Sequence, residues 1–442
     1  TSFFLLKEFL EINMNKNISS ETWKNREKGV LPGAGFGNFD PNISLKKGHG
    51  SRVWDEDDNE YLDFLIGSGP MILGHGNKEV IEAIKEQLSE GLTFFTNNSK
   101  GIELAEEICK AVQCSDMVRF VSSGGEADMY AMRLARAFTG KNKILKFEGG
   151  YHGMSADSLM SLAPEKLVNF PVAVPDSAGI PEAVRDDILV APFNDIDFFS
   201  QIMSEYGNEI AGVIVEPLQR IIPPENGFLK HLRDETSKHG SLLIFDEIVT
   251  GFRLAYGGAQ ELYGVTPDLC TLGKIIGGGL PLAAIAGKTD IMNHFDKNIV
   301  GAEKFTFQVG TLSGNPLASV AGLKTMEILR REGSYEKIRQ NGTRIMKSLS
   351  DSLKRNNIDF QIVGDPTLFD VLFTDQYVLN YRDTKKNNAN MAKEFNRVLR
   401  DCGILKADAK LYTHLAITEE DLQLTDRAFN KASDALVNKI SN

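Results

Sequence analysis

The sequence predicts an α/β fold: a buried, mostly parallel sheet in a large domain, followed by a smaller α+β domain. Three observations carry that expectation. Short, predominantly apolar runs at residues 118–121, 144–147, 212–215 and 242–245 have the texture of strands covered on both faces. Helical spacing separates them, as at residues 126–138 with Met129, Tyr130, Leu134 and Ala135. After about residue 325 the chain turns to charged helical stretches around one apolar run at 368–373. Strands alternating with helices indicate a parallel sheet with helical layers.

From the amino terminus, residues 1 to about 45 combine an amphipathic stretch with the glycine- and proline-rich segment 31–38, the composition of an arm or loop. Phe3-Phe4-Leu5-Leu6 is interrupted at once by Lys7 and Glu8, which argues against a signal peptide. Met14 is a candidate start, the residues before it then being an extension. Residues 53–65 read as a hairpin with a charged turn at Asp55-Glu56-Asp57-Asp58. The expected division is residues 1–65 as an arm and hairpin belonging to the small domain, 66–325 as the large domain, and 326–442 as the rest of the small one. Charged segments such as 331–337 and 385–393 are expected to be solvated helix faces. There is no internal repeat and no low-complexity tract.

The composition bounds the function. Over 442 residues, 42% hydrophobic and 25% charged residues are the balance of a globular protein with a sizeable core. A net charge of -11 argues against nucleic acid, whose phosphates need clustered Lys and Arg. Cys109, Cys114, Cys270 and Cys402 show neither CxxC spacing nor disulfide density, so we expect reduced, structural thiols and a cytoplasmic location. His49, His75 and His414 lack ligand spacing, and no metal site is expected.

The most informative position is Lys274. It stands among Gly273, Gly277, Gly278 and Gly279, residues used where backbone bends sharply or lets another molecule approach. Upstream, the apolar run 242–245 ends in Asp246. A lysine amine in a glycine-rich setting, with a carboxylate at the tip of a core strand, is what pyridoxal 5'-phosphate (PLP) chemistry requires. Glu216 likewise ends an apolar strand, and in open parallel sheets ligands sit beyond the carboxyl ends of strands. Ser123-Gly124-Gly125 joins a strand to a helix, where backbone N–H groups point at an anion, although an ordinary tight connection reads the same way.

Six ordered runs extend this pattern. They are Gly-Pro-Met-Ile-Leu-Gly-His (69–75), Val-Ser-Ser-Gly-Gly-Glu-Ala (121–127), Lys-Phe-Glu-Gly-Gly-Tyr-His-Gly (146–153), Gly-Val-Ile-Val-Glu-Pro (212–217), the long run 245–281, and Gly-Thr-Leu-Ser-Gly-Asn-Pro (310–316). In that order, over roughly residues 45–330, the chain resembles the class-III aminotransferases of fold type I, and most of all their glutamate-1-semialdehyde 2,1-aminomutase branch. The resemblance implies PLP joined to Lys274 as a Schiff base, with Lys274 also moving the substrate proton. It implies Asp246 at the pyridine nitrogen, Tyr151 and Ile248 on the two ring faces, and His152 and Gly153 completing the turn after Tyr151. Ser123, Gly124 and Gly125 would hold the phosphate and Glu216 would orient its neighbours. It further implies a homodimer in which Thr311 reaches the partner's cofactor phosphate. Alone, Tyr151 reads more commonly as a core aromatic, and Thr311 as a helix cap or turn hydroxyl.

The chain departs from the branch at four places. Gly125 stands where the family has threonine. Residues 33–38 lack the arginine that anchors the substrate carboxylate in the aminomutases, and Ser68 replaces a tryptophan. Ala409 or a neighbour replaces a glutamate before the run Leu-Ala-Ile-Thr-Glu-Glu-Asp (415–421). Losing a bidentate arginine removes a carboxylate anchor. The sequence therefore leads us to expect transamination of an amine or amino acid with a carbonyl acceptor, and competent use of amines without a nearby carboxylate. The aminomutase is the alternative, and a non-catalytic PLP-binding protein the third reading. Gln219-Arg220 is a candidate replacement contact.

Overall fold

The computed structural model describes residues 20–38 and 43–440 of the chain. The reading of residues 1–19, including the candidate start at Met14, lies outside them. Fourteen strands are described, in three sheets. β1 (Leu45–His49), β2 (Arg52–Asp55) and β3 (Glu60–Asp63) form an antiparallel meander. The expected hairpin is the β2–β3 pair, with Trp54 opposite Glu60. The central sheet contains β4 (Met117–Val121), β5 (Lys143–Phe147), β6 (Ile188–Ala191), β7 (Ile210–Val215), β8 (Leu242–Glu247), β9 (Leu269–Leu272) and β10 (Ala283–Gly287), in the order β4-β10-β9-β8-β7-β5-β6. β10 is antiparallel to both its neighbours and the other pairs are parallel.

Every residue of β6 to β10 is buried, which is why these strands lack the alternation of a half-exposed sheet. Separate apolar cores cover the two faces: Phe147, Val213, Val215 and Phe245 belong to one, Ile144, Ile214, Ile244 and Ile285 to the other. The expected strands differ from the observed ones only at their ends. The 242–245 run continues through Asp246 to Glu247, because Asp246 and Glu247 pair with Thr271 and Leu272 of β9. β6, β9 and β10 went unread in the sequence; β9 is four residues long and β10 is Ala-Ala-Ile-Ala-Gly, small residues of low strand propensity held by two neighbours.

Along the sheet the chain runs from β5 outward to β6, then returns to β7 and continues to β8 and β9 on the other side. Successive connections thus diverge between β5 and β7, and a crevice opens beyond the carboxyl ends there.

The carboxyl-terminal region contributes β11 (Gln361–Asp365), β12 (Leu368–Leu372), β13 (Ile404–Leu405) and β14 (Leu411–Tyr412). β11, β12 and β14 form the third sheet, while β13 pairs in parallel with β3. Leu62 and Phe64 share one core with Ile345, Phe369, Phe395 and Phe429, so the amino-terminal hairpin packs on the carboxyl-terminal elements. The four cysteines are free. Among the described residues no helix is long and apolar enough to cross a membrane.

Candidate active site

Five strand ends converge on the crevice, and each delivers one part of the site. After β4, Ser123 caps the helix Gly124–Thr139 through a reciprocal capping box with Glu126. Ser122 and Ser123 donate their N–H groups to the Glu126 carboxylate, both at 2.9 Å. The N–H groups of Gly124 and Gly125 have no acceptor among the described residues, and the positive end of the helix dipole adds to their pull on an anion. The glycine at 125 has a packing reason: a Cβ there would lie 3.1 Å from Gly153 Cα. The hydroxyl of the family's threonine is thus exchanged for a close backbone approach.

After β5, Tyr151 is 36% exposed into the crevice and its N–H donates to Glu216 Oε2 at 3.0 Å. Burial of the ring raises its phenol pKa. This is not the packed core aromatic that a lone tyrosine usually is. His152 is buried, with Nδ1 2.8 Å from Asp246 Oδ2, while its buried Nε2 has no hydrogen-bond partner among the described residues.

At the end of β8, Asp246 accepts from the Ile248 N–H at 3.0 Å through Oδ1. Ile248 is wedged between two glycines, since a Cβ on either Gly124 or Gly273 would stand 3.0 Å from its Cδ1. After β9, Gly273 leads into a short 3-10 turn that starts at Lys274, itself in the left-handed region at φ 49°. Only an over-determined site holds a non-glycine residue there. Burial pushes the Lys274 ammonium down from the ordinary lysine value, against the opposing pull of Asp246, Glu216 and Asp128.

Asp128 was missed in the sequence. It lies on the buried face of the helix Gly124–Thr139 among Ala127, Ala131 and Met132, and accepts from the Thr271 hydroxyl at 2.6 Å. Asp128, His152 and Asp246 bring one donor atom each within 4.8 Å of one another. Burial, then the Asp246 charge, raises the Asp128 pKa well above its ordinary value. The cluster thus sets a carboxyl whose neutral form is favoured behind Asp246, an arrangement that suits a pyridinium partner. An acid inside an alanine-rich helix face is the signal that would have found it.

The other wall comes from distant segments. A Cβ on Gly69 would meet Tyr412 Cε1 at 3.2 Å and Lys274 Cδ at 3.4 Å, so the Tyr412 ring lies beside the lysine stem. Arg253, fully buried, bonds the carbonyls of Gly69, Thr367 and Thr413. Its guanidinium lies 5.0 Å from the Tyr412 ring centroid, and burial pushes its pKa down to about 10. It ties the Gly69 turn to the carboxyl-terminal sheet. Thr311 stands apart. It is exposed, and the cap of the following helix, Pro316–Leu329, is Asn315, which removes the capping reading of that threonine.

The residues fit PLP. An anion cradle with free amides, a half-exposed tyrosine, a wedged isoleucine, a buried carboxylate and a lysine with a lowered pKa line one crevice.

The comparisons agree with this geometry. A family model described as Aminotransferase class-III matches residues 37–433. The glutamate-1-semialdehyde 2,1-aminomutase of Natranaerobius thermophilus is 40% identical over 402 residues, covering 88% of this chain and 91% of that protein. Among solved structures, an omega-transaminase from Sphaerobacter thermophilus superposes with a TM-score of 0.88 at 31% identity, covering 94% of this chain and 97% of that one. A beta-phenylalanine aminotransferase from Variovorax paradoxus gives 0.84 at 27% identity, covering 98% and 96%.

Proposed function

The chain belongs to the class-III aminotransferase family, and we propose that it relocates an amino group within one small amino-carbonyl molecule, the 2,1-aminomutase reaction on glutamate 1-semialdehyde. It is a PLP-dependent enzyme of amino transfer. The observation that carries the finer reading is the 40% identity to an aminomutase over nearly the full length of both chains. This ranks ahead of the transfer between two molecules that the sequence led us to expect.

PLP, when bound, supplies an electron-withdrawing ring that stabilises negative charge on the substrate carbon. Lys274 Nζ accepts the proton from that carbon and returns it, a role favoured by burial lowering its pKa. Asp246, held by His152 and the Ile248 N–H, keeps its charge aimed at the site of the pyridine nitrogen. Tyr151 and Ile248 would bracket the ring, Glu216 would fix Tyr151 through its N–H, and Gly124 and Gly125 would donate to the phosphate.

A homodimer completes this reading. The loop carrying Thr311 exposes Phe307, Val309 and Leu312, and Asn98 donates to Gly314 O at 2.8 Å, bringing the exposed Phe94 and Phe95 toward it. Such apolar exposure suits a second copy, whose phosphate site Thr311 would reach. Four free cysteines suit a reducing cytoplasm.

Transamination between two molecules is the second reading, favoured by the arginine-free segment 33–38, Ser68 and Ala409. Product analysis with glutamate 1-semialdehyde tests the choice. The mutase forms 5-aminolevulinate without consuming an acceptor; a keto product that accumulates only with an added acceptor would establish the transaminase instead.

A further inference from the structure

Two cations face the substrate side of the crevice without a carboxylate partner. Arg220 sits in a two-residue reversal closed by Gln219 N–H to Ile222 O at 2.9 Å and Ile222 N–H to Gln219 O at 2.8 Å. Its φ is 61°, a conformation for which such turns normally recruit Gly or Asn. The reversal is anchored by Gln219, buried and donating to Glu148 O at 2.8 Å. It aims the Arg220 guanidinium over the Tyr151 ring, 5.3 Å from the centroid. Arg220 forms no ion pair among the described residues.

Lys410 comes from the opposite end of the chain. It pairs with Ala407 in an isolated bridge and immediately precedes β14. Side chains two apart in extended backbone share a face, and Tyr412, two residues on, lies beside the Lys274 stem. Lys410 therefore points to the same side. No acceptor for its ammonium is found among the described residues. Burial and then Arg220 push its pKa down to about 7, Lys274 adding to the fall and Glu216 and Asp246 resisting it.

We propose that Arg220 and Lys410 together form an anion subsite, which receives a carboxylate carried by the substrate some bonds away from the reacting amino group. The pair takes over the task of the arginine absent from residues 33–38, with different residues and from a different direction. This rests on PLP-dependent amino transfer but not on the choice between mutase and transaminase. It runs against the expectation that amines without a nearby carboxylate compete well.

Lys410 makes the subsite pH-dependent. Only its ammonium form attracts the carboxylate, so the contribution is present below about pH 7 and lost as pH rises through that value. The charged groups facing it, Arg220, Glu216, Lys274 and Asp246, include one other lysine, Lys274. Its titration is distinguished because it would move kcat as well as KM.

The test uses the PLP-loaded full chain and a matched pair of donors, 5-aminopentanoate and pentylamine, followed by the cofactor's visible absorbance. The wild type should prefer the carboxylate in kcat/KM. In Arg220→Gln and in Lys410→Met that preference should fall by about tenfold or more, the loss of a charge-assisted contact, chiefly through KM and with cofactor absorbance retained. Lys410→Arg should restore much of it and abolish the rise of KM above pH 7. Pentanoate, which cannot react, should compete with the donor and perturb the wild-type absorbance but not that of the double variant. An unchanged carboxylate-to-amine ratio in both single variants overturns the subsite. If neither donor turns over while pentanoate still perturbs the wild-type spectrum alone, transamination of free amines fails and the anion subsite stands.

Discussion

The two ends of the crevice are built differently. The cofactor end comes from consecutive strand–loop units between residues 121 and 274, each placing one group at a carboxyl strand end. The substrate end gathers Ser68, Arg220, Lys410 and Tyr412 from segments far apart in sequence. A cofactor-binding framework carried by the sheet holds its geometry while loops and the carboxyl-terminal sheet change, which is how one fold accommodates different substrates. Of the departures from the aminomutase pattern other than Gly125, Ser68 adjoins the Gly69 turn that meets Tyr412 and the Lys274 stem, and Ala409 adjoins Lys410.

The largest effect should come from the cofactor end. Lys274→Ala should reduce the half-reaction by about 100- to 10,000-fold, the range for a positioned proton carrier. The same variant should retain the cofactor by its phosphate and ring contacts, and borohydride should no longer fix label at residue 274. Near-normal turnover would break the comparison at its root.

Asp246→Asn comes next. Removing one charged hydrogen-bond partner is worth about 1.5–3 kcal/mol, or roughly 10- to 150-fold in the half-reaction, with a smaller effect on cofactor retention. Stopped-flow absorbance reads both. Equal rates in the two proteins would show that the charge is not used.

Thr311→Ala should weaken PLP binding by roughly tenfold, a hydrogen bond to a charged phosphate being worth about 1.5 kcal/mol at its low end, with subunit folding unchanged. Equilibrium dialysis gives the affinity, and sedimentation reports whether the proposed dimer forms in both proteins. Cofactor affinity equal to wild type would remove the partner contact and leave the phosphate to Gly124 and Gly125 alone.

The smallest effect on turnover belongs to Asp128→Asn, which imitates the neutral form that burial favours. Its raised folded pKa fixes the sign of the stability effect. Below the ordinary value of 3.8 both states are protonated and the side chain is neutral to stability. Above it the unfolded chain ionises first, so wild-type stability falls as pH rises toward the folded pKa. Asp128→Asn should therefore gain melting temperature relative to wild type at pH 7, and the gain should vanish near pH 4. A constant difference across that range would mean Asp128 is ionised in the folded protein.

The sequence alone pointed to the parallel sheet and to the proposed cofactor end. Continuous apolar strands, helical spacing between them and polar residues at strand ends are local signals, and the burial that enforces them is the same along each strand. Thus Lys274, Asp246 and Glu216 could be proposed from the residues before any coordinates and the Ser123-Gly124-Gly125 turn as one of two readings, whereas Tyr151, His152 and Ile248 came from the family resemblance. Only the tertiary structure brought Asp128 behind Asp246, because an acid on a helix acquires meaning from the β9 threonine and the histidine packed against it. Only the tertiary structure also placed Lys410 and Tyr412 beside Lys274. Their local sequence is an unremarkable short strand, and their chemistry arises from the pairing of β14 with β12 and the buried Arg253 that ties that sheet to Gly69. Contacts between remote segments leave no periodic trace in a single chain, so substrate recognition was the part that folding alone decided.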